Sequence, residues 1–152
     1  ASTAAVVAVD PDLGSIEILD YLAVEDCGRM VNPLIVAGQI IGGTAQGIGT
    51  ALYEESPYSD TGQPLATTFV DYTMPGTTEL GAIRIEHMET PSPFTEFGIK
   101  GVGESGAISP PATIANAIND ALSTMGVELC EAPMTPRRVL AAIQHAQRNR
   151  EA

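Results

Sequence analysis

The sequence predicts a two-layer α+β domain in which a small mixed β-sheet packs against helices. Three observations carry that prediction. Alternating or β-branched apolar runs occur at Thr3–Val9, Ser15–Val24 and Ile83–Met88. Helix-like segments open at Asn32-Pro33, Ser109-Pro-Pro111 and Thr135-Pro136, each pairing a capping side chain with proline in the first turn. Strand and helix signals do not alternate regularly, which argues against a doubly wound parallel sheet. The 152 residues suit one domain, 1–152, without an internal repeat or a linker long enough to divide it.

The elements follow in order. Asp10-Pro-Asp-Leu-Gly14 between the first two runs is a strong turn signal, so a hairpin is the economical reading. Asn32 is placed to cap a helix starting at Pro33 and running to about Tyr53. Its apolar content is high, but Gln39, Thr44, Gln46, Thr50 and five glycines interrupt it, so a buried helix is expected rather than a membrane span. At 100° per residue, Ala37, Ile40, Ile41, Ala45, Ile48 and Leu52 form a core face, and Gln39, Gly42, Gly43, Gln46 and Thr50 form a second strip. That strip is a bed of glycine with amides standing in it, suited to close backbone packing or to a flat polar ligand. Ser56–Gln63 reads as a loop, Leu65–Tyr72 as extended, and Pro75-Gly76 as a break before the Ile83–Met88 strand. Ser109 is expected to cap a helix with Ile114, Ala115, Ile118 and Leu122 on its buried face, ended by Gly126. Val127–Cys130 is a short strand candidate, and the last helix carries Val139, Leu140 and Ile143 inward.

Composition excludes several functions. A net charge of −12 argues against nucleic acid, which requires clustered Lys and Arg. Arg137, Arg138, Arg148 and Arg150 read instead as cations near a helix end. Cys27 and Cys130 lack metal-ligand spacing and are expected as buried thiols, with His87 and His145 structural or exposed. No basic region followed by an apolar core stands at the N-terminus, so a cytoplasmic protein is expected. The chain lacks an initiator methionine and opens inside a strand-like run, the pattern of a piece of a larger polypeptide.

Chemistry concentrates in Gly98-Ile-Lys-Gly-Val-Gly-Glu-Ser-Gly106, where four glycines surround one lysine and one glutamate. Glycine permits positive φ and close approach of another surface, and a carboxylate held among glycines suits a catalytic base, although a surface connection is the blander reading. Lys100 precedes the later glycines, so this is no phosphate-binding Gly-Lys-Ser/Thr turn. Gly103-Glu-Ser-Gly106 lacks the spacing of a serine-hydrolase elbow, and Gly47-Ile-Gly49 meets Leu52 where a dinucleotide fingerprint needs glycine or alanine. Glu54 and Glu55 sit at adjacent helical positions and point apart.

Together with that loop, Asp26-Cys-Gly-Arg-Met-Val-Asn-Pro33, the Ala37–Glu55 segment, Pro64–Tyr72 and Glu89-Thr-Pro-Ser-Pro93 stand in a telling order. In that order the chain resembles, from about Glu25 to Val139, the C-terminal part of the molybdenum-binding large subunit of the xanthine oxidase family, the molybdenum hydroxylases. The Gly-Glu-Ser form of the loop is more similar to the bacterial carbon monoxide dehydrogenase-type branch than to animal purine oxidases. The resemblance implies a molybdenum-cofactor-binding domain of the architecture above. It implies that Glu104 is a catalytic base, activating a Mo-bound hydroxyl for attack on an aldehyde, an N-heterocycle or carbon monoxide. It makes Gln46, Gly47, Lys100, Gly101, Gly103 and Ser105 the candidate cofactor-binding residues, with no protein metal ligand. From the residues alone, Gln46 is more simply a buried amide serving backbone, Lys100 is equally a support for the loop, and Gly103 and Ser105 are groups that position Glu104.

The resemblance further implies molybdopterin, in the cytosine dinucleotide form of bacterial members. Iron–sulfur and FAD modules would lie on partner subunits or other domains, since none of their cysteine motifs is present. The piece would pack on the rest of its large subunit and would be inactive, without bound cofactor, by itself. The alternative is a non-catalytic assembly module of the same fold, acting through protein interaction or self-association.

Overall fold

The computed structural model describes residues 1–151, the last of them by backbone alone. Strands β1 (Ser2–Val9) and β2 (Ile16–Glu25) form the expected antiparallel hairpin, with a register shift at Val6/Val7. Its turn is closed by the Asp10 carboxylate, which accepts from the Asp12 and Leu13 N–H groups. Helix α1 (Pro33–Leu52) begins as expected, with the Leu34 and Ile35 N–H groups donating to Asn32 Oδ1. A one-turn helix α2 (Thr77–Leu80) precedes β3 (Ile83–His87), which pairs in parallel with β2. The sheet is therefore mixed, in the order β1-β2-β3. Helices α3 (Ser105–Ile108), α4 (Pro110–Leu122) and α5 (Pro136–Glu151) complete the chain.

One layer is the sheet and the other the helices. The inner face of β2 presents Ile18, Tyr21 and Ala23, and α1 covers them with Ile40, Ile48 and Leu52. Helix α4 adds Ile114, Ile118 and Leu122 and packs on β1 and α1, while α5 adds Val139 and Ile143. Each such side chain contributes about 1.5–3 kcal/mol on burial. A Thr3–Thr113 hydroxyl contact of 2.5 Å joins β1 to α4.

Several expectations are corrected. Leu65–Tyr72 is not extended: Thr68 turns the chain, its carbonyl accepting from the Asp71 and Tyr72 N–H groups. Val127–Cys130 forms no strand, because the Asn119 amide bonds both the N–H and the carbonyl of Leu129 and takes the place of a partner strand. Ile41 is 42 % exposed, and Val36 and Thr44 are buried on α1 in its stead. Helix α1 is thus buried along one side only. Ser109 makes no side-chain cap, since α3 leads into it already helical. Cys130 is exposed, unlike buried Cys27, and both thiols are free. Arg137 and Arg138 lie at the start of α5, not at its negative pole, and Arg138 pairs with Glu55. Among the described residues, no helix is long and apolar enough to cross a membrane.

Candidate active site

The second strip of α1 forms one wall of a groove of about 390 Å³. Helix α1 supplies Gln39, Gly42, Gly43 and Gln46; the loop supplies Gly103 and Glu104; and α3 supplies Ala107 and Ile108. The close fit of α3 on α1 comes from glycine. A Cβ at Gly106 would stand 2.5 Å from the Ile40 carbonyl oxygen, and one at Gly43 would stand 3.0 Å from the Ala107 nitrogen. The strip therefore packs closely on backbone at one glycine and stays open at another. Gly43 and Gly47 pack on the backbone or proline of α3 and α4, while Gly42 faces open space.

Glu104 immediately precedes α3 and makes no capping hydrogen bond, which leaves its exposed carboxylate at the groove. The loop beside it is braced locally. Gln39 Nε2 donates to the Gly103 carbonyl at 3.3 Å, and Ser105 Oγ donates to the Val102 carbonyl at 3.2 Å. Of the candidate positions, the structure brings Gln46, Gly103 and Glu104 together around the groove. Gly47 is buried behind it, against the Ala107 carbonyl and Pro110. Gly101 stands in the open, with nothing near its would-be Cβ. Lys100 turns to Asp26, with Nζ 3.0 Å from Oδ1, and does not line the groove.

Asp26 is well supplied with donors. The Thr90 hydroxyl first, then the Gly28 and Thr90 N–H groups and Lys100, hold its carboxyl well below the usual carboxylate range. Nearby, Cys27 Sγ lies 3.2 Å from His87 Nε2 and links the ends of β2 and β3. Burial pushes this thiol up, so it serves packing rather than nucleophilic chemistry. Glu54 and Glu55 lie beyond the end of α1 and not at helical positions, and they accept from the Tyr72 hydroxyl and Arg138 respectively.

Residues 1–81 match the family described as the molybdopterin cofactor-binding domain. The chain belongs to that family. This molybdopterin cofactor-binding domain is 47% identical over 139 residues to the nicotine 6-hydroxylase large subunit of Paenarthrobacter nicotinovorans, covering 91% of this chain and 17% of that one. It is 35% identical over 134 residues to the carbon monoxide dehydrogenase large chain of Hydrogenophaga pseudoflava, covering 88% and 17%. Among solved structures, quinoline 2-oxidoreductase from Pseudomonas putida 86 superposes with a TM-score of 0.90 at 49% identity, over 92% of this chain and 18% of that one. The domain thus spans about a sixth of the length of these relatives. The resemblance to large subunits of the molybdenum hydroxylases holds, and so does the two-layer α+β fold.

The groove fits a pterin-type group by its donor set. Two amides, Gln39 and Gln46, offer donors and acceptors in one row, and Gly42 leaves the wall between them low. Among the described residues no three His, Cys, Asp or Glu side chains stand together to hold a metal ion. Sequence reasoning placed Gln39 in the strip but gave it no role. Its signal is the seven-residue spacing to Gln46, two helical turns along one face. Asp26 was visible only as part of a motif.

Proposed function

We propose that this chain is the base-bearing, cofactor-facing C-terminal portion of the large subunit of a molybdenum hydroxylase, folded as a single domain, and that the enzyme oxidises an N-heterocycle. The observation that carries the reading is the placement of Glu104 on the same groove as Gln39 and Gln46. The choice of an N-heterocycle over carbon monoxide or an aldehyde follows the relatives. Identity is 47% to a nicotine hydroxylase large subunit and 49% to a quinoline oxidoreductase, against 35% to a carbon monoxide dehydrogenase large chain.

When bound, a molybdopterin cofactor, in the cytosine dinucleotide form, supplies the two-electron oxidation. The chain's own residues do the rest. Gln46 offers its amide to the pterin or phosphate edge, with Gly42 letting a flat group lie close to α1. The Glu104 carboxylate accepts the proton that an oxygen nucleophile must lose to attack carbon. Gly103 and Ser105 set its direction, and Lys100 and Gly101 act through the loop rather than at the groove. Electrons leave through iron–sulfur and FAD modules on partner subunits. These partners accord with relatives named as a large subunit and as subunit gamma of a dehydrogenase complex.

The test is substitution in the complete enzyme. Glu104→Gln keeps shape but accepts no proton, so turnover falls by about 10²-fold or more while molybdenum content is retained. Gln46→Ala lowers cofactor content and activity together. Near-normal turnover of Glu104→Gln with full molybdenum content would make Glu104 a structural loop residue.

A further inference from the structure

Three chain segments distant in sequence meet at the foot of the Glu104 loop: residues 26–29 after β2, residues 90–92, and residues 98–100. Backbone contacts bind them. The Lys100 N–H donates to the Cys27 carbonyl at 2.8 Å, the Ser92 N–H donates to the Gly98 carbonyl at 3.0 Å, and Gly28 and Ile99 form an antiparallel bridge. Gly28 has a φ of 66°, and a Cβ there would lie 2.1 Å from the Gly98 carbonyl oxygen, so the crossing closes only over glycine.

Asp26 is the side chain that joins all three segments. Its Oδ1 accepts from the Gly28 N–H at 2.9 Å and from the Thr90 N–H at 3.1 Å, and it faces Lys100 Nζ at 3.0 Å. Beyond Lys100 the loop leans on the core through the partly buried Val102. Gly101 and Gly103 are exposed and have nothing within 4 Å of a would-be Cβ. Firm contact resumes at Gly103, whose carbonyl takes the Gln39 amide, and at Gly106, seated on the Ile40 carbonyl. Glu104 is thus held between Lys100 and Val102 on its upstream side and the Gly103 and Gly106 contacts with α1.

We propose that Asp26 is a positioning residue: its ion pair with Lys100 fixes the upstream end of the loop and so holds the Glu104 carboxylate at the groove. The proposal rests on the reading of Glu104 as the base. The pair is partly exposed, with side-chain exposures of 35% and 22%, and such pairs add little to global stability. Its effect is geometric, since a base displaced by about 1 Å loses on the order of 10²-fold in rate.

The experiment compares Asp26→Asn, Lys100→Met and the double variant with Glu104→Gln in the complete enzyme. Asp26→Asn keeps Oδ1 as an acceptor for the Gly28 and Thr90 N–H groups and removes the charge that faces Lys100, together with one carboxylate oxygen. Expected for each single variant are a kcat lower by about 10- to 10²-fold, an unchanged KM, full molybdenum and pterin content, and faster amide exchange across residues 99–104. The double variant should be no worse than either single one, because both remove the same contact. If Glu104→Gln is inactive and Asp26→Asn turns over normally, the positioning role is overturned and the base reading stands. If Glu104→Gln is active, the base reading fails, and amide exchange alone decides whether Asp26 anchors the loop; unchanged exchange overturns that too. Loss of cofactor in step with activity in Asp26→Asn also overturns the proposal. Should Asp26→Asn fail to fold, Lys100→Met, which leaves the Asp26 contacts to Gly28 and Thr90 in place, decides by the same readouts.

Discussion

At the scale of single residues, glycines of one loop have unequal work. Gly101 looks into open space, whereas a Cβ at Gly106 would meet the Ile40 carbonyl oxygen at 2.5 Å. Backbone cannot yield as a flexible side chain can, so α3 would have to lift from α1. Gly106→Ala should therefore destabilise the purified chain by about 1–3 kcal/mol in chemical denaturation, while Gly101→Ala stays within about 0.5 kcal/mol. Equal effects would show that α3 does not depend on this contact. The glycine loop and Glu104 were legible as a candidate site because four glycines flank a single carboxylate. The demand on Gly106 was not legible, because it is set by Ile40 and Thr44 of α1, distant in sequence. The same holds for Cys27. Burial was expected of both cysteines and holds for Cys27 but not for Cys130, and the Cys27 neighbour His87 comes from β3.

At the scale of elements, the local cap signal at Asn32 reads true, whereas Ser109 and Thr135 make no side-chain cap. Helix α1 starts where Asn32-Pro33 places it, because Asn32 Oδ1 takes the Leu34 and Ile35 N–H groups and proline gives up an N–H that would lack a partner anyway. Asn32→Ala should lower stability by about 1 kcal/mol, measured as a shifted denaturation midpoint with an unchanged slope. An unaltered midpoint would mean that tertiary packing alone sets the start of the helix. Two strand expectations failed for the complementary reason. A strand requires a neighbour, and β propensity mostly reports packing on one. Leu65–Tyr72 contains Thr, Phe and Val but pairs with no strand of the sheet, and Phe69 and Val70 are left 89% and 92% exposed. The backbone of Val127–Cys130 is served by the Asn119 side chain, an arrangement no periodicity announces.

At the scale of the molecule, the parallel pairing of β2 with β3 brings residues 25–29 and 83–90 together, and that pairing places the foot of the Glu104 loop. The groove built above it has walls from α1, the loop and α3 only. Small-molecule sites bury roughly 70–90% of a ligand's surface, and a groove walled by two neighbouring segments cannot enclose a pterin to that extent. The chain spans 17% of the length of the nicotine 6-hydroxylase large subunit, and in the proposed large subunit other segments would supply further walls. The residues facing the groove include two amides and one carboxylate but no cationic side chain, so a phosphate-bearing ligand finds hydrogen bonds here without charge neutralisation. The net charge of −12 adds long-range repulsion. The isolated chain should accordingly bind neither molybdenum nor free pterin at stoichiometric levels, as measured by elemental analysis and pterin fluorescence on the purified protein. Increasing ionic strength should not rescue binding, because the deficit is missing enclosure and not only repulsion. One molybdenum per isolated chain would show that the α1 strip and the Glu104 loop form a sufficient site by themselves.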